Sequence, residues 1–155
     1  MKDAYTAAKL AATAREHSPL TAMQAELLRR VGRALPFCAD ILGAQLTLYL
    51  PALEKGRFFI AASLLPQTAA FPNAAEFPRA GTSVACAEEP LVRAALQKGG
   101  LQRGRREIGF GESLEMFAFA VADGAAAVAA VALVIDSEGR TETALAHLIE
   151  TAQRF

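Results

Sequence analysis

The sequence predicts an α+β fold, an antiparallel sheet of five or six strands with its N- and C-terminal helices gathered on one face. Three observations predict it. Residues 45–65 and 116–135 each read as a strand, a short polar break and a returning strand, and strands joined this way lie antiparallel. Apolar residues recur at helical spacing over 20–35 and 143–155, which places amphipathic helices toward both ends. One further helix, 88–98, and a proline-containing connection lie between the two hairpins. A chain of 155 residues, 53% of them hydrophobic, suffices for one core and reads as a single domain over 1–155.

Taken in order, residues 2–16 are rich in alanine, with Tyr5 and Leu10 the only large apolar groups. A helix with so thin a stripe, spanning much of 1–17, needs a surface to dock on. Ser18-Pro19 breaks it. Thr21 and Gln24 have the spacing of a capping box, and Leu20, Met23, Leu27, Val31 and Leu35 follow as one apolar face. Arg29, Arg30 and Arg33 fall to the side as a solvated face. Pro36 lacks an amide donor and crowds the preceding turn, so it is expected to bend or end this helix.

Gln45, Thr47 and Tyr49 then alternate with Leu46, Leu48 and Leu50, the period of a strand whose faces meet different surroundings. The leucines are expected beneath the terminal helices, the other three on the opposite side. Pro51 stops the strand, residues 54–56 turn the chain, and Arg57 to Leu65 returns. Apolar on both faces, this return strand reads as central and doubly covered. Residues 66–81 hold three prolines and little periodicity, and long connections of this kind often carry function. Thr82 to Ala85 reads as a short strand. Pro90 suits the first turn of the helix over 88–98, with Leu91, Val92, Ala95 and Leu96 inward and Gly99 as its stop.

Residues 99–113 read as a glycine-interrupted basic loop whose Arg103, Arg105 and Arg106 could offer guanidinium forks to a carboxylate or phosphate. The plainer reading is a solvated loop, and the glycines match neither a Walker loop nor a dinucleotide fingerprint. Met116 to Val121 and Ala125 to Ile135 form the second hairpin around Asp123-Gly124, with small residues that let a helix pack closely. Thr141 can cap the last helix, 141–155, where Leu145, Leu148, Ile149 and Ala152 make its stripe.

Sixteen basic and sixteen acidic side chains give a formal net charge of zero, so no nucleic-acid partner is expected. The longest apolar stretch, Ala118 to Ile135, is broken at Asp123-Gly124, and the first residues lack the apolar core of a signal peptide. No membrane association and a cytoplasmic location are therefore expected. Cys38 and Cys86 form no CxxC and read as buried thiols, the other reading being a redox pair or a reactive thiol. His17 and His147 lack partners at ligand spacing, so no metal, haem or other cofactor is expected.

At several of these points the sequence resembles the GAF-like sensory domain at the N-terminus of PdtaS-like bacterial signal-transduction histidine kinases. That domain carries a helix ending in Ala-Asp, then a second Ala-Asp opening a leucine-rich strand that closes on proline. Here Ala39-Asp40 keeps the first pair, Ala44-Gln45 holds Gln for the second Asp, and Leu46 to Pro51 keeps the strand. Leu65-Pro66-Gln67-Thr68 is similar to the family's Arg-Pro-x-Thr segment without its arginine. Glu89-Pro90-Leu91 is similar to its acidic-Pro-Leu helix start. The resemblance covers about residues 10–152.

The resemblance implies a GAF/PAS-like sheet and a non-catalytic sensory domain of a two-component system, binding a small molecule, dimerising, or both. Helices 20–35 and 143–155 both carry apolar stripes while one sheet face is available to bury them, so pairing of two copies through the terminal helices is expected, the plainer reading being that both stripes are used on their own sheet. The final helix would be the output, and the domain would be stand-alone or the N-terminal piece of a kinase, since no kinase machinery is present. The ligand is expected on the sheet face opposite the terminal helices, roofed by 66–80 and 99–113. Thr47 and Tyr49 would supply polar contacts and Arg105 or Arg106 the partner of an anion. The alternative is a thiol-dependent GAF-type enzyme, such as a free methionine sulfoxide reductase, using Cys86. A bilin domain would want a histidine near its cysteine, and neither histidine is near Cys86 in sequence.

Overall fold

The computed structural model describes residues 5–67, 77–107, 113–124 and 126–135. Two helices open the chain, α1 (Ala7–His17) and α2 (Ala22–Leu42). Strands β1 (Ala44–Pro51), β2 (Arg57–Leu64) and β3 (Ser83–Ala85) follow, then a single 3₁₀ turn and helix α3 (Pro90–Lys98). Strands β4 (Gln102–Glu107), β5 (Ser113–Asp123) and β6 (Ala126–Ile135) complete the described elements. All six strands join one antiparallel sheet in the order β3-β2-β1-β6-β5-β4. The expected final helix, 141–155, lies outside the described residues. Among those described, no helix is long and apolar enough to cross a membrane.

The alternation in β1 sorts the core into two layers. Leu46, Leu48 and Leu50 pack with Leu10 and Ala14 of α1 and with Leu28, Val31 and Leu35 of α2. Tyr49 lies on the other side with Phe58, Ile60, Val92 of α3, and Ala130, Ala132 and Val134 of β6. The alanines of β6 thus admit α3 closely, as their size suggested. A bulge in β2 opposite Leu48/Tyr49 re-phases that strand. Phe59 and Ala62 consequently share the α1/α2 side, while Ser63 comes level with Thr47.

Both ends of α2 follow from local chemistry. Thr21 Oγ1 accepts from the Gln24 amide at 3.1 Å and Gln24 Oε1 from the Thr21 amide at 3.0 Å, completing the capping box. The C-terminus comes later than expected, with Gly43 in the left-handed region (φ 58°) after Leu42. Pro36 therefore sits inside a continuous helix. Its missing amide would have bonded to the Gly32 carbonyl four residues back, and the Tyr5 hydroxyl donates to that carbonyl instead, at 2.6 Å. The approach requires glycine. A Cβ on Gly32 would stand 2.5 Å from Leu10 Cδ2 and 2.9 Å from the Tyr5 hydroxyl.

Three further expectations are corrected. Met23 is 81% exposed and leaves the apolar face. Each four-residue step around a helix overshoots a full turn by about 40°, so the row from Met23 to Leu35 drifts and the face centres on Leu27, Leu28, Val31 and Leu35. The return strand β2 is penultimate in the sheet, flanked by β1 and the short β3, and the central pair is β1 and β6. Much of the expected basic loop is strand β4, an edge whose outward residues Arg103, Arg105 and Glu107 are exposed. Gly104 of this strand lets Leu91 of α3 approach, a Cβ there standing 3.3 Å from its Cδ1.

Tyr5→Phe is expected to lower stability by about 1–2 kcal/mol, the worth of a hydrogen bond to a carbonyl that then lacks a protein partner. In a Pro36→Ala background the helix supplies its own donor, and the same substitution should cost appreciably less. Urea unfolding of the four variants checks this double cycle. Equal costs in both backgrounds would show that Tyr5 does not stand in for the missing amide.

Candidate functional site

The face away from α1 and α2 carries a line of polar groups along β1. Gln45 is buried, and its Nε2 donates to Thr47 Oγ1 at 2.8 Å and to Ser63 Oγ at 3.1 Å. Thr47 is thus present on the expected face and already engaged. Tyr49, two residues on, has no exposed surface, and its ring meets Phe58 edge-on at 5.9 Å. Its hydroxyl lies close to the Glu89 carboxylate and the Arg106 guanidinium but makes a well-aligned hydrogen bond with neither. Burial pushes the phenol pKa up, the nearby Glu89 charge adds to the rise, and Arg106 opposes it.

Glu89 and Arg106 reach this spot from different elements. Glu89 precedes Pro90 at the start of α3, a place where negative charge favours the helix dipole. Its side chain does not cap the helix; it accepts Arg106 Nη1 at 3.2 and 3.4 Å. The pair is largely withdrawn from water, with 9% of the glutamate and 20% of the arginine side chain exposed. The guanidinium lies over the Phe77 ring, its carbon 6.0 Å from the ring centroid. Strand alternation sends Arg103 and Arg105 the other way. Arg103 lies over Phe117 of the α1/α2 core, and Arg105 donates to Ser113 Oγ at 2.8 Å and to the Ser113 carbonyl at 3.0 Å.

Of the four expected residues, Thr47, Tyr49 and Arg106 therefore share a face, and Arg105 does not join them. Gln45 and Glu89 were not singled out as site residues from the sequence. Gln45 stands in the same alternating row as Thr47 and Tyr49, and that position was the available signal. In the sequence Glu89 reads only as the acidic start of a helix, and its arginine lies 17 residues further on. A separate open cleft of about 430 Å³ lies between the start of β2 and α3, lined by Gly56, Phe58, Cys86, Arg93 and Leu96 among others.

The two thiols lie on opposite sides of the sheet, Cys38 with the α1/α2 layer and Cys86 with the α3 layer. Both are free, and burial pushes the Cys38 thiol pKa up.

Against known proteins, the family described as histidine kinase PdtaS, GAF domain, matches residues 10–150. No curated protein matches. Among solved structures, the chain is similar to the sensor region of a sensor histidine kinase, with 20% identity and a TM-score of 0.67. That alignment covers 93% of this chain and 51% of the other, so the chain spans about half the length of that sensor region. A second is the GAF domain from Acinetobacter phosphoenolpyruvate-protein phosphotransferase, with 14% identity, a TM-score of 0.46, and coverage of 87% and 91%.

The two tyrosines give a direct test of this geometry. Burial raises the Tyr5 phenol from 10.0 to about 12, and Tyr49 is raised as well. Their folded pKa values lie above the unfolded ones, so the stability they contribute is complete below pH 10 and declines above it, the Tyr5 share being lost as pH climbs through about 12. Tyrosinate absorbance at pH 10.0, the free phenol's midpoint, should be nearly absent from the folded protein and half developed in urea. Half-ionisation of either residue near pH 10 in the folded state would contradict the burial described here.

Proposed function

The chain belongs to the GAF domain family of the histidine kinase PdtaS, and from that premise we propose that it is a non-catalytic sensory domain that binds a small molecule on the α3 face of its sheet. One observation carries the reading. Thr47, Tyr49, Glu89 and Arg106 gather on one sheet face, and the Tyr49 hydroxyl is buried there without a well-aligned hydrogen bond among the described residues. Buried polar atoms are nearly always paired, and an unpaired one costs about 1–3 kcal/mol. A face needed only for packing would be apolar. Binding sites combine apolar walls with a few such convergent polar groups.

The absence of a catalytic step is part of the proposal, and the placement of the thiols supports it. A thiol enzyme using Cys86 would draw on a resolving partner, and the sheet stands between Cys86 and Cys38. Native mass spectrometry of protein purified from its own cells is expected to show a retained small molecule in stoichiometric amount. Protein repeatedly recovered without one, and unchanged in melting temperature by a metabolite extract, would overturn the binding reading.

We propose further that two copies pair through helices and that residues 141–155 pass the signal on within a two-component kinase. The inner stripe of α2 is already used on the sheet, so a second copy would meet its outer side. There Met23, Phe37 and Ile41 lie along one line, Phe37 and Ile41 being 66% and 59% exposed. A two-fold partner returns the same surface. Sedimentation is expected to show a dimer at micromolar concentration and a folded monomer for Phe37→Glu with Ile41→Glu. Leu148→Glu tests the contribution of the last segment. A wild-type monomer would end the pairing proposal, and dimers persisting in all variants would move the interface elsewhere.

A further inference from the structure

Glu89, Arg106 and Tyr49 form a three-membered set in which only two members are bonded. Arg106 uses Nη1 alone on Glu89, sharing it between both carboxylate oxygens at 3.2 and 3.4 Å. A guanidinium carries five N–H donors in a planar fork, so most of its capacity is unspent on Glu89. The Tyr49 hydroxyl is fully buried close to the same carboxylate and, among the described residues, makes no well-aligned hydrogen bond. A carboxylate with 7% of its residue exposed cannot lose its only strong partner without a replacement.

From these facts we infer that the site takes a small oxyanion, a carboxylate or a phosphate, which draws Arg106 off Glu89 while Tyr49 takes Arg106's place as hydrogen-bond donor to Glu89. The inference rests on the reading that the α3 face binds a ligand, and it adds the ligand's chemistry and the response. Before binding, the unpaired phenol is the cost and the ion pair the gain. After binding, Arg106 holds the anion with its planar fork, and the phenol O–H satisfies the carboxylate. No buried charge is stranded at either stage. Because Glu89 opens α3 and Arg106 lies on β4, the exchange alters the tie between that helix and the sheet edge.

The exchange has a signature that needs no ligand. With Arg106 present, Tyr49→Phe removes only an unpaired hydroxyl and should leave the unfolding equilibrium unchanged or shift it toward the folded state. In an Arg106→Gln background, the hydroxyl is Glu89's remaining donor. There the same substitution should favour unfolding by about tenfold, as for a hydrogen bond to a charged group. An equal effect in both backgrounds would overturn the proposal.

Should Arg106→Gln fail to fold, tyrosine emission of the wild type decides the question. The chain has two tyrosines and no tryptophan, so the difference between wild type and Tyr49→Phe isolates Tyr49. Acetate and inorganic phosphate, added separately at millimolar concentration, distinguish the two anion classes. At least one should quench Tyr49 saturably, because a phenol bonded to a carboxylate loses emission by proton transfer. Glu89→Gln should abolish the quench while tightening binding several-fold, since it removes Arg106's competitor. Absence of a saturable quench with either anion, or unchanged affinity in Glu89→Gln, would overturn the exchange. A retained molecule in native mass spectrometry, found with no exchange signature, would leave the sensory reading standing and sink this one.

Discussion

The pairing of β1 with β6 is the contact on which the rest of the sheet depends. Each hairpin is local, and only the antiparallel match of Ala44–Tyr49 with Ala130–Ile135 joins them into one sheet. The match also sets what lies on either side. Leu46 faces Leu133 and Leu48 faces Val131 in the layer under α1 and α2, while Thr47 and Tyr49 face Ala132 and Ala130 in the layer under α3. The alanines opposite Thr47 and Tyr49 let α3 come close on that side, and this register therefore sets how near the start of α3 lies to the polar row of β1.

The two layers differ in what they spend. Beneath α1 and α2 the contacts are apolar and close, and each large side chain lost there would leave a cavity at a cost of about 2–5 kcal/mol. Beneath α3 the face carries Gln45, Thr47, Tyr49, Glu89 and part of Arg106, and among the described residues the Tyr49 hydroxyl makes no well-aligned hydrogen bond. A domain meant only to be stable would gain by replacing them with apolar groups of similar volume. Keeping stability in one layer and polar chemistry in the other lets the second rearrange without loosening the first.

Local signals were legible in the sequence, and features closed by distant residues were not. The capping box of α2, the two faces of β1, the Asp123-Gly124 turn and the start of α3 at Pro90 all depend on neighbours within a few positions. The persistence of α2 through Pro36 depends on Tyr5, 27 residues from the carbonyl it bonds, and nothing near the proline announces it. Strand β4 was obscured because an edge strand can carry polar side chains throughout, as Gln-Arg-Gly-Arg-Arg-Glu does here. In the candidate site, alternation pointed to Thr47 and Tyr49. It could not tell Arg105 from Arg106, whose difference is a single step of strand phase.

That charged edge bears on how such a domain behaves in crowded company. An open sheet has two borders at which another strand can add, and repeated addition leads to fibrils. One border here is β3, only three residues long, and the other presents Arg103, Arg105 and Glu107 outward. A second copy laid along β4 would have to crowd these charged side chains and strip their water. Sheet-to-sheet growth is therefore disfavoured even where many copies are clustered, and molecules can be concentrated in one place while each keeps its own sheet.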